Sequence, residues 1–319
     1  QSGEVLAMVN LPDFNPNDRA DLTGERFRNR AVTDLFEPGS TIKPFTLSMA
    51  LAKGVFSPDS TVMTSPGIHY VGGRPIRDIR DFGELSLAEL LINSSNVGTA
   101  KVAMELAPEE LYNTLNAVGF GRLTGIELPG EQSGRLLKRN RWRPVDHAWL
   151  SFGYGLSSTP LQLARAYSVL ANGGMLVPVT IRMRAGVEPK TRVLPSDVVR
   201  EINAILERVV TEGTAKRAAV PHYRVAGKTG TVHKIDPAGG YHKDRYQSLF
   251  AGFAPVSDPR LVLVVLIDDP RGDQHFGGEV AAPAFRNIMS DALRLHAVVP
   301  DAPAGSSRAV HLARADSDA

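Results

Sequence analysis

The 319-residue chain predicts an α/β fold, and three observations carry that expectation. A strand-like run, Glu4-Val5-Leu6-Ala7-Met8-Val9, stands near the start, and residues 224–232, 248–255 and 261–268 read as strands near the end, with Gly and Pro at the turns between them. Between the two groups, apolar residues recur at spacings of three and four, the helical period. The pattern fits one mainly antiparallel sheet built from both chain ends and flanked by helices. An all-helical lobe of about residues 55–215 is inserted in it.

Taken in order, residues 10–30 are polar and turn-rich. A helix then starts at about Ser40, because Pro44 lacks an N–H and is tolerated only in a first turn. Phe45, Leu47, Met49 and Leu51 make it apolar, and Gly54 ends it. Residues 55–85, rich in Pro, Gly and Asp, read as an irregular excursion. Ser86 caps a short helix with Leu87, Leu90 and Leu91, which breaks at Asn93-Ser94-Ser95-Asn96 before a second helix over about 97–106. Pro108 opens another, lined by Leu111, Leu115 and Val118, and residues 119–158 read as loop. Thr159-Pro160 supply an N-cap and first-turn pair for a helix with Leu163, Tyr167 and Leu170, ended by Asn172-Gly173-Gly174. Ser196 caps a helix carrying Val199, Ile202, Leu206 and Val209. A last amphipathic helix covers about 280–295, and the Ala, Ser, Asp and Pro-rich residues 299–319 predict a disordered tail.

Composition narrows the function. An apolar fraction of 43% with 22% charged residues is a globular balance, and a net charge of +2 gives no reason for a nucleic-acid partner. The absence of Cys excludes disulfides, thiol nucleophiles and thiolate metal sites. The longest aliphatic run, residues 261–267, is far shorter than the roughly 20 residues of a membrane span. The chain opens on Gln1-Ser2-Gly3 and runs straight into a strand, which suggests a domain of a longer protein with a membrane anchor upstream.

Three short motifs could carry chemistry. Ser40 and Lys43 lie three residues apart, on one face of a helical turn, so a hydroxyl and an amine can meet at a helix N-terminus that favours developing negative charge. That is the pattern of an activated nucleophile; the plainer alternative is an N-cap followed by a solvated lysine. Ser94-Ser95-Asn96 either caps adjacent helix ends or offers a hydroxyl and an amide to one site. Lys228-Thr229-Gly230-Thr231 puts a glycine inside a strand, which marks a bulge or a close backbone approach. Its lysine and hydroxyls suit a carboxylate, or else simply protect an edge strand.

In this order the three motifs resemble the signature of the penicillin-recognising serine enzymes. The resemblance covers nearly the whole chain. Gly3-Glu4-Val5-Leu6-Ala7-Met8, Phe36-Glu37-Pro38-Gly39-Ser40-Thr41-Ile42-Lys43-Pro44, Ser151-Phe152-Gly153-Tyr154-Gly155 and Phe250-Ala251-Gly252-Phe253-Ala254-Pro255 look like class B penicillin-binding proteins, the septal cell-division transpeptidases among them. His275 stands before Phe276 where close relatives often carry Tyr.

The resemblance implies a penicillin-binding transpeptidase or serine β-lactamase-like fold and a serine acyl-enzyme D,D-transpeptidase. The expected substrate is a peptidoglycan stem peptide ending in D-Ala-D-Ala, with β-lactams as inhibitors. Ser40 would be the nucleophile, a neutral Lys43 its base, Ser94 the proton relay to the leaving amine, and Asn96 the holder of the peptide backbone. The backbone N–H groups of Ser40 and Thr231 would form the oxyanion hole. Lys228, Thr229, Gly230 and Thr231 would receive the terminal carboxylate, and Tyr154, Tyr246 and Phe276 would wall the cleft. No metal or cofactor is implied. The implied setting is the periplasmic face of the inner membrane at the septum, with divisome partners including a septal glycosyltransferase. Two rival readings share the acylation chemistry: a β-lactamase, for which Glu109 and Asn113 are the nearest water-positioning pair, and a non-catalytic β-lactam sensor.

Overall fold

The computed structural model describes residues 2–302 except 16, 18–23, 25, 139–141, 184, 185, 187, 188 and 237, so most of the expected C-terminal tail, residues 303–319, lies outside the described residues. A short helix, α1 (Arg30–Thr33), leads to a 3₁₀ turn, Gly39–Ile42, that runs directly into α2 (Lys43–Ala52) with Pro44 in its first turn. The proline rule therefore locates the helix start correctly, with Ser40 in the tighter opening turn. Eight of the ten α2 residues are buried, so this helix runs through the core and has no solvated face for Lys43. Its polar side chains find internal partners: Thr46 Oγ1 donates to Ser151 O at 2.7 Å, and Ser48 Oγ to Pro44 O at 2.7 Å.

Residues 55–86, expected as an irregular excursion, hold four short strands. β1 (Thr61–Met63) and β4 (Glu84–Ser86) pair antiparallel and enclose a hairpin of β2 (Ile68–Val71) and β3 (Arg74–Arg77). Its two-residue turn, Gly72-Gly73, has φ of +55° and +75°, the left-handed conformation such turns require. Three or four residues are too few to display a period-2 pattern, so the strands were hidden although the turn signal was present. The inserted region is therefore not all-helical.

Then follow α3 (Leu87–Ile92), with a capping box between Ser86 and Glu89, α4 (Asn96–Met104), and α5 (Pro108–Ala117), with Leu111 and Leu115 buried. The stretch expected as loop over 119–158 contains α6 (Pro144–Leu150). Thr159 and Gln162 form a capping box for α7 (Pro160–Ala171), as the sequence predicts. A third small sheet joins β5 (Met175–Leu176) to β6 (Thr191–Arg192), and α8 (Ser196–Thr211) starts with Pro195, not Ser196, in the capping position.

The main described sheet is antiparallel in the order β7 (Ala226–Ile235), β8 (Tyr241–Ala254), β9 (Leu261–Asp268). All three strands come from the C-terminal part. The N-terminal run joins no described strand of this sheet; it makes an isolated parallel bridge between Glu4 and Thr180 and leaves Leu6 and Val9 exposed. β8 is longer than expected because its first half, residues 241–247, is polar and projects beyond the core, where hydrophobic alternation is lost. The last helix, α9 (Gly277–Leu295), covers the sheet face that carries Thr229, Thr231 and Phe250, with Phe285 edge-on to Phe250 at 4.5 Å. After it, Asp301 accepts hydrogen bonds from Arg224 N and Ser257 N at 2.7 and 3.1 Å, so the chain is fastened to the body at that point.

The opposite sheet face, carrying Lys228, Gly230 and Val232, meets the Ser40 turn. A Cβ on Gly230 would lie 3.1 Å from Pro38 O, so the glycine serves a close backbone approach; the register irregularity of β7 lies farther on, between His233 and Ile235. On the other side of the same turn, Gly39 N donates to Gly153 O at 3.1 Å, and a Cβ on Gly153 (φ +91°) would fall 2.0 Å from Gly39 O. Gly153→Ala is expected to destabilise the fold by at least about 1–3 kcal/mol, which urea unfolding would measure; an unchanged midpoint would contradict the close approach.

Candidate active site

The three motifs converge at the N-terminal end of α2. Lys43 points from α2 to the α3–α4 junction, where Nζ donates to Ser94 O at 2.5 Å and Asn96 Oδ1 at 2.8 Å and lies 3.2 Å from Ser94 Oγ. From the sheet, Lys228 Nζ donates to the same Ser94 Oγ at 3.0 Å. One hydroxyl thus stands between two lysine amines that come from positions 51 and 134 residues away. Ser40 is half-buried in the 3₁₀ turn, where its carbonyl accepts from Lys43 N; its hydroxyl makes no hydrogen bond among the described residues, and the Lys43 amine is turned to the second motif instead. Its turn is anchored from below, where Tyr167 Oη donates to Thr41 O at 3.0 Å.

Both lysines are wholly buried, and burial disfavours the ammonium form. Burial first, and the neighbouring Lys228 charge second, hold Lys43 well below the ordinary lysine value, against an opposing pull from Asp78. Burial alone brings Lys228 down to about 7. A neutral Lys43 has two N–H bonds and one lone pair. Ser94 O and Asn96 Oδ1 take the two hydrogens, which leaves the lone pair to receive a proton. Lys228, Ser94 and Lys43 together can pass a proton across the site.

Ser94 reaches this position by adopting φ +60°, a left-handed conformation that non-glycine residues rarely hold. Asp78, which belongs to no motif, steadies the loop. It lies just after β3 and accepts from Ser95 Oγ at 2.6 Å, Asn96 N at 2.5 Å and Val97 N at 3.1 Å, which puts a carboxylate at the N-terminus of α4. Asn96 Nδ2 donates to Arg77 O at 3.0 Å, so the amide links Lys43 to the hairpin while a second N–H stays available.

β7 is an edge of the described sheet, with β8 on one side only. Thr229 and Thr231 alternate away from Lys228 and look to the start of α9. Thr231 Oγ1 accepts from Gly277 N at 2.9 Å, and Thr229 Oγ1 lies 3.0 Å from Thr214 Oγ1. Three hydroxyls and the N-terminus of a 19-residue helix gather there, a combination that favours an anion. Lys228 reaches Ser94 Oγ from the other sheet face, while its Nζ also lies 3.4 Å from Thr229 O and 3.5 Å from Thr229 Oγ1, so it stays within reach of the threonine beside it.

The aromatic residues form two groups. Tyr246 stacks on His275 with ring centroids 4.0 Å apart, and His275 lies 4.5 Å from the 53%-exposed Phe276. Tyr154 sits apart from them, against Phe152 at 5.7 Å and Tyr241 at 6.0 Å. Thr214 and Tyr241 carry no motif, so only their spatial neighbours single them out.

A family model described as the penicillin binding protein transpeptidase domain matches residues 1–290. The chain belongs to the penicillin-binding protein transpeptidase domain family. It is 43% identical over 316 residues to a probable peptidoglycan D,D-transpeptidase PbpC of Pseudomonas aeruginosa, covering 98% of this chain and 56% of that protein. With peptidoglycan D,D-transpeptidase FtsI of Escherichia coli K12 it shares 41% identity over 302 residues, 94% of this chain and 51% of that one. The transpeptidase chain thus spans about half the length of these curated relatives. Among solved structures it resembles the apo TP domain of Burkholderia pseudomallei penicillin-binding protein 3, with a TM-score of 0.82 and 42% identity over 86% of this chain and 84% of that one. The α/β fold class expected from the sequence is that of this family.

In this transpeptidase domain the strained Ser94 backbone and its hydroxyl are separable. Ser94→Gly is expected to unfold at higher urea than Ser94→Ala, by about 1 kcal/mol, because glycine adopts φ +60° freely. Both should lose β-lactam acylation to the same extent. Equal stability of the two variants would show that the backbone there is unstrained.

Proposed function

We propose that the domain cross-links peptidoglycan by serine D,D-transpeptidation and is acylated by β-lactams. The observation that carries this reading is the single hydrogen-bonded chain joining Lys43, Ser94, Asn96 and Lys228 beside Ser40. Ser40 Oγ attacks the carbonyl between the two terminal D-alanines while neutral Lys43 takes its proton. The oxyanion rests on the Ser40 and Thr231 backbone N–H groups, each worth about 3–4 kcal/mol in comparable sites. Close packing of the Ser40 turn on Gly230 supports that pairing. The proton returns through Ser94 to the departing D-alanine amine, with Lys228 holding the Ser94 oxygen on its other side. Thr229 and Thr231, with the α9 N-terminus, receive the terminal carboxylate, and Tyr154, Tyr246 and Phe276 bound the cleft. An amine of a second stem peptide then attacks the Ser40 ester and forms the cross-link.

The names of the relatives, peptidoglycan D,D-transpeptidases, support the same substrate class. The proposed setting is the periplasmic face of the inner membrane at the septum, beside divisome proteins and a glycosyltransferase. Among the described residues no helix is long and apolar enough to cross a membrane. Glu109 and Asn113, the pair that a β-lactamase reading would use, lie on α5.

Intact-mass spectrometry after penicillin treatment should find one stable adduct on the protein and none on Ser40→Ala. Rapid turnover of nitrocefin would mark a β-lactamase instead. Acylation without D-alanine release from a donor peptide would mark a sensor.

Acylation should rise with pH, because Lys43 acts in its neutral form, and should level off well below the 10.5 of a free lysine. Lys43→Ala should slow acylation about 10²–10⁴-fold. A pH profile inflecting at the ordinary lysine value would remove Lys43 as the base.

A further inference from the structure

Glu37 lies three residues before the nucleophile and is buried, with 6% of its surface exposed, yet no Lys or Arg among the described residues pairs with it. A carboxylate in that situation is costly unless hydrogen bonds hold it. Glu37 has two, and both reach far along the chain. Gly155 N donates to Oε1 at 2.8 Å, and Tyr241 Oη donates to Oε2 at 2.9 Å, over 118 and 204 residues. Burial pushes the Glu37 carboxyl up while these two bonds pull it down. Burial and the Glu37 charge together push the Tyr154 phenol up to about 12 and raise Tyr241, so both phenols keep their protons and Tyr241 remains a donor.

The bonds form part of a larger seam. Phe36 and Ser158 exchange two backbone hydrogen bonds at 3.0 and 2.9 Å, and Gly39 N donates to Gly153 O at 3.1 Å. Between these rungs the Glu37 side chain supplies the middle one. The segment that delivers Ser40 therefore lies along the Gly153–Ser158 loop, which also positions Tyr154. Tyr241 joins the seam from elsewhere. It pairs with Ile235 near the tip of the β7–β8 hairpin, in the polar half of β8 that projects beyond the core. Its ring is 46% exposed, and it meets Tyr154 edge-on.

We propose that Glu37 is a positioning residue: its carboxylate clasps the β7–β8 hairpin tip and the Tyr154 loop to the segment that presents Ser40. The clasp fixes the distance between the Tyr154–Tyr241 wall and the nucleophile before any ligand arrives. It touches neither substrate nor reacting atoms. The role in acylation rests on the transpeptidase reading; the mechanical link does not.

The test uses the whole domain with a fluorescent penicillin, separating non-covalent binding from the acylation step, beside hydrogen exchange at residues 238–241. Tyr241→Phe removes one oxygen and leaves the ring. It should slow acylation about tenfold, close to one hydrogen bond's worth of barrier, with an unchanged thermal midpoint and faster exchange at the hairpin tip. Glu37→Gln keeps an acceptor for Gly155 and a donor to Tyr241 and should restore most of what Glu37→Ala loses. Adding Tyr241→Phe to Glu37→Ala should cost nothing further, because both changes break one clasp. Wild-type acylation rates and unchanged tip exchange in Tyr241→Phe would overturn the proposal, as would simple additivity. If Glu37→Ala fails to fold, Tyr241→Phe decides. If the unaltered domain is not acylated at all, the transpeptidase reading fails, and tip exchange in Tyr241→Phe alone judges the clasp.

Discussion

Two lysine side chains buried on either side of one serine hydroxyl are the constraint around which the domain is arranged. Among the described residues neither amine has a carboxylate within ion-pair distance, and each is removed from water by a different layer: Lys43 by α2 in the core, Lys228 by the sheet. Burial lowers both amines, and the Lys228 charge lowers Lys43 further, so Lys43 is the amine driven to its neutral form. That state is useful because an uncharged lysine can accept a proton. It also accounts for the burial of eight of the ten α2 residues. Any solvated face would let water reach Lys43 and restore its charge.

Holding Ser94 between the amines has a structural cost that the surroundings meet. Its backbone sits at φ +60°, and the following residues are fastened by Asp78 through Ser95, Asn96 and Val97. Asp78 in turn hangs on the β2–β3 hairpin, and Arg77 from the same strand takes the Asn96 amide. Residues of the small hairpin sheet, with Asp78 just after it, therefore hold the Ser94–Val97 loop in place. On the opposite side, Gly153 lets its backbone meet Gly39 more closely than any Cβ would allow, and Gly39 and Gly230 leave room for the Ser40 turn to pack against Val232 and β7.

The site was largely legible at the level of residue types. Pro44 located the start of α2, and the three motifs named Ser40, Lys43, Ser94, Asn96 and Lys228, all of which converge. Hydrogen-bond direction was not legible. The Lys43 amine turns to Ser94 and Asn96, and the Lys228 amine meets Ser94 Oγ as well as Thr229, because successive strand residues face opposite ways and Thr231 looks to α9. Glu37, Asp78 and Thr214 escaped notice because their partners lie 15 to 204 residues away and an isolated acid or hydroxyl has no local pattern.

The same division holds for the fold. Helices α5, α7 and α8 announce themselves through apolar spacing, with a first-turn proline in α5 and α7, since these are local physics of about ten residues. The strands of residues 61–86 and the polar half of β8 do not, because they are too short or too polar to alternate, and pairing with a neighbouring strand makes them strands. By itself, the order of residues determined the periodic helices, the chemistry of the three motifs and the family to which the chain belongs. Tertiary structure alone decided which amine meets which hydroxyl and which carboxylate braces the site. It also set how far both lysines are driven from their charged form, because burial is a property of every neighbour at once.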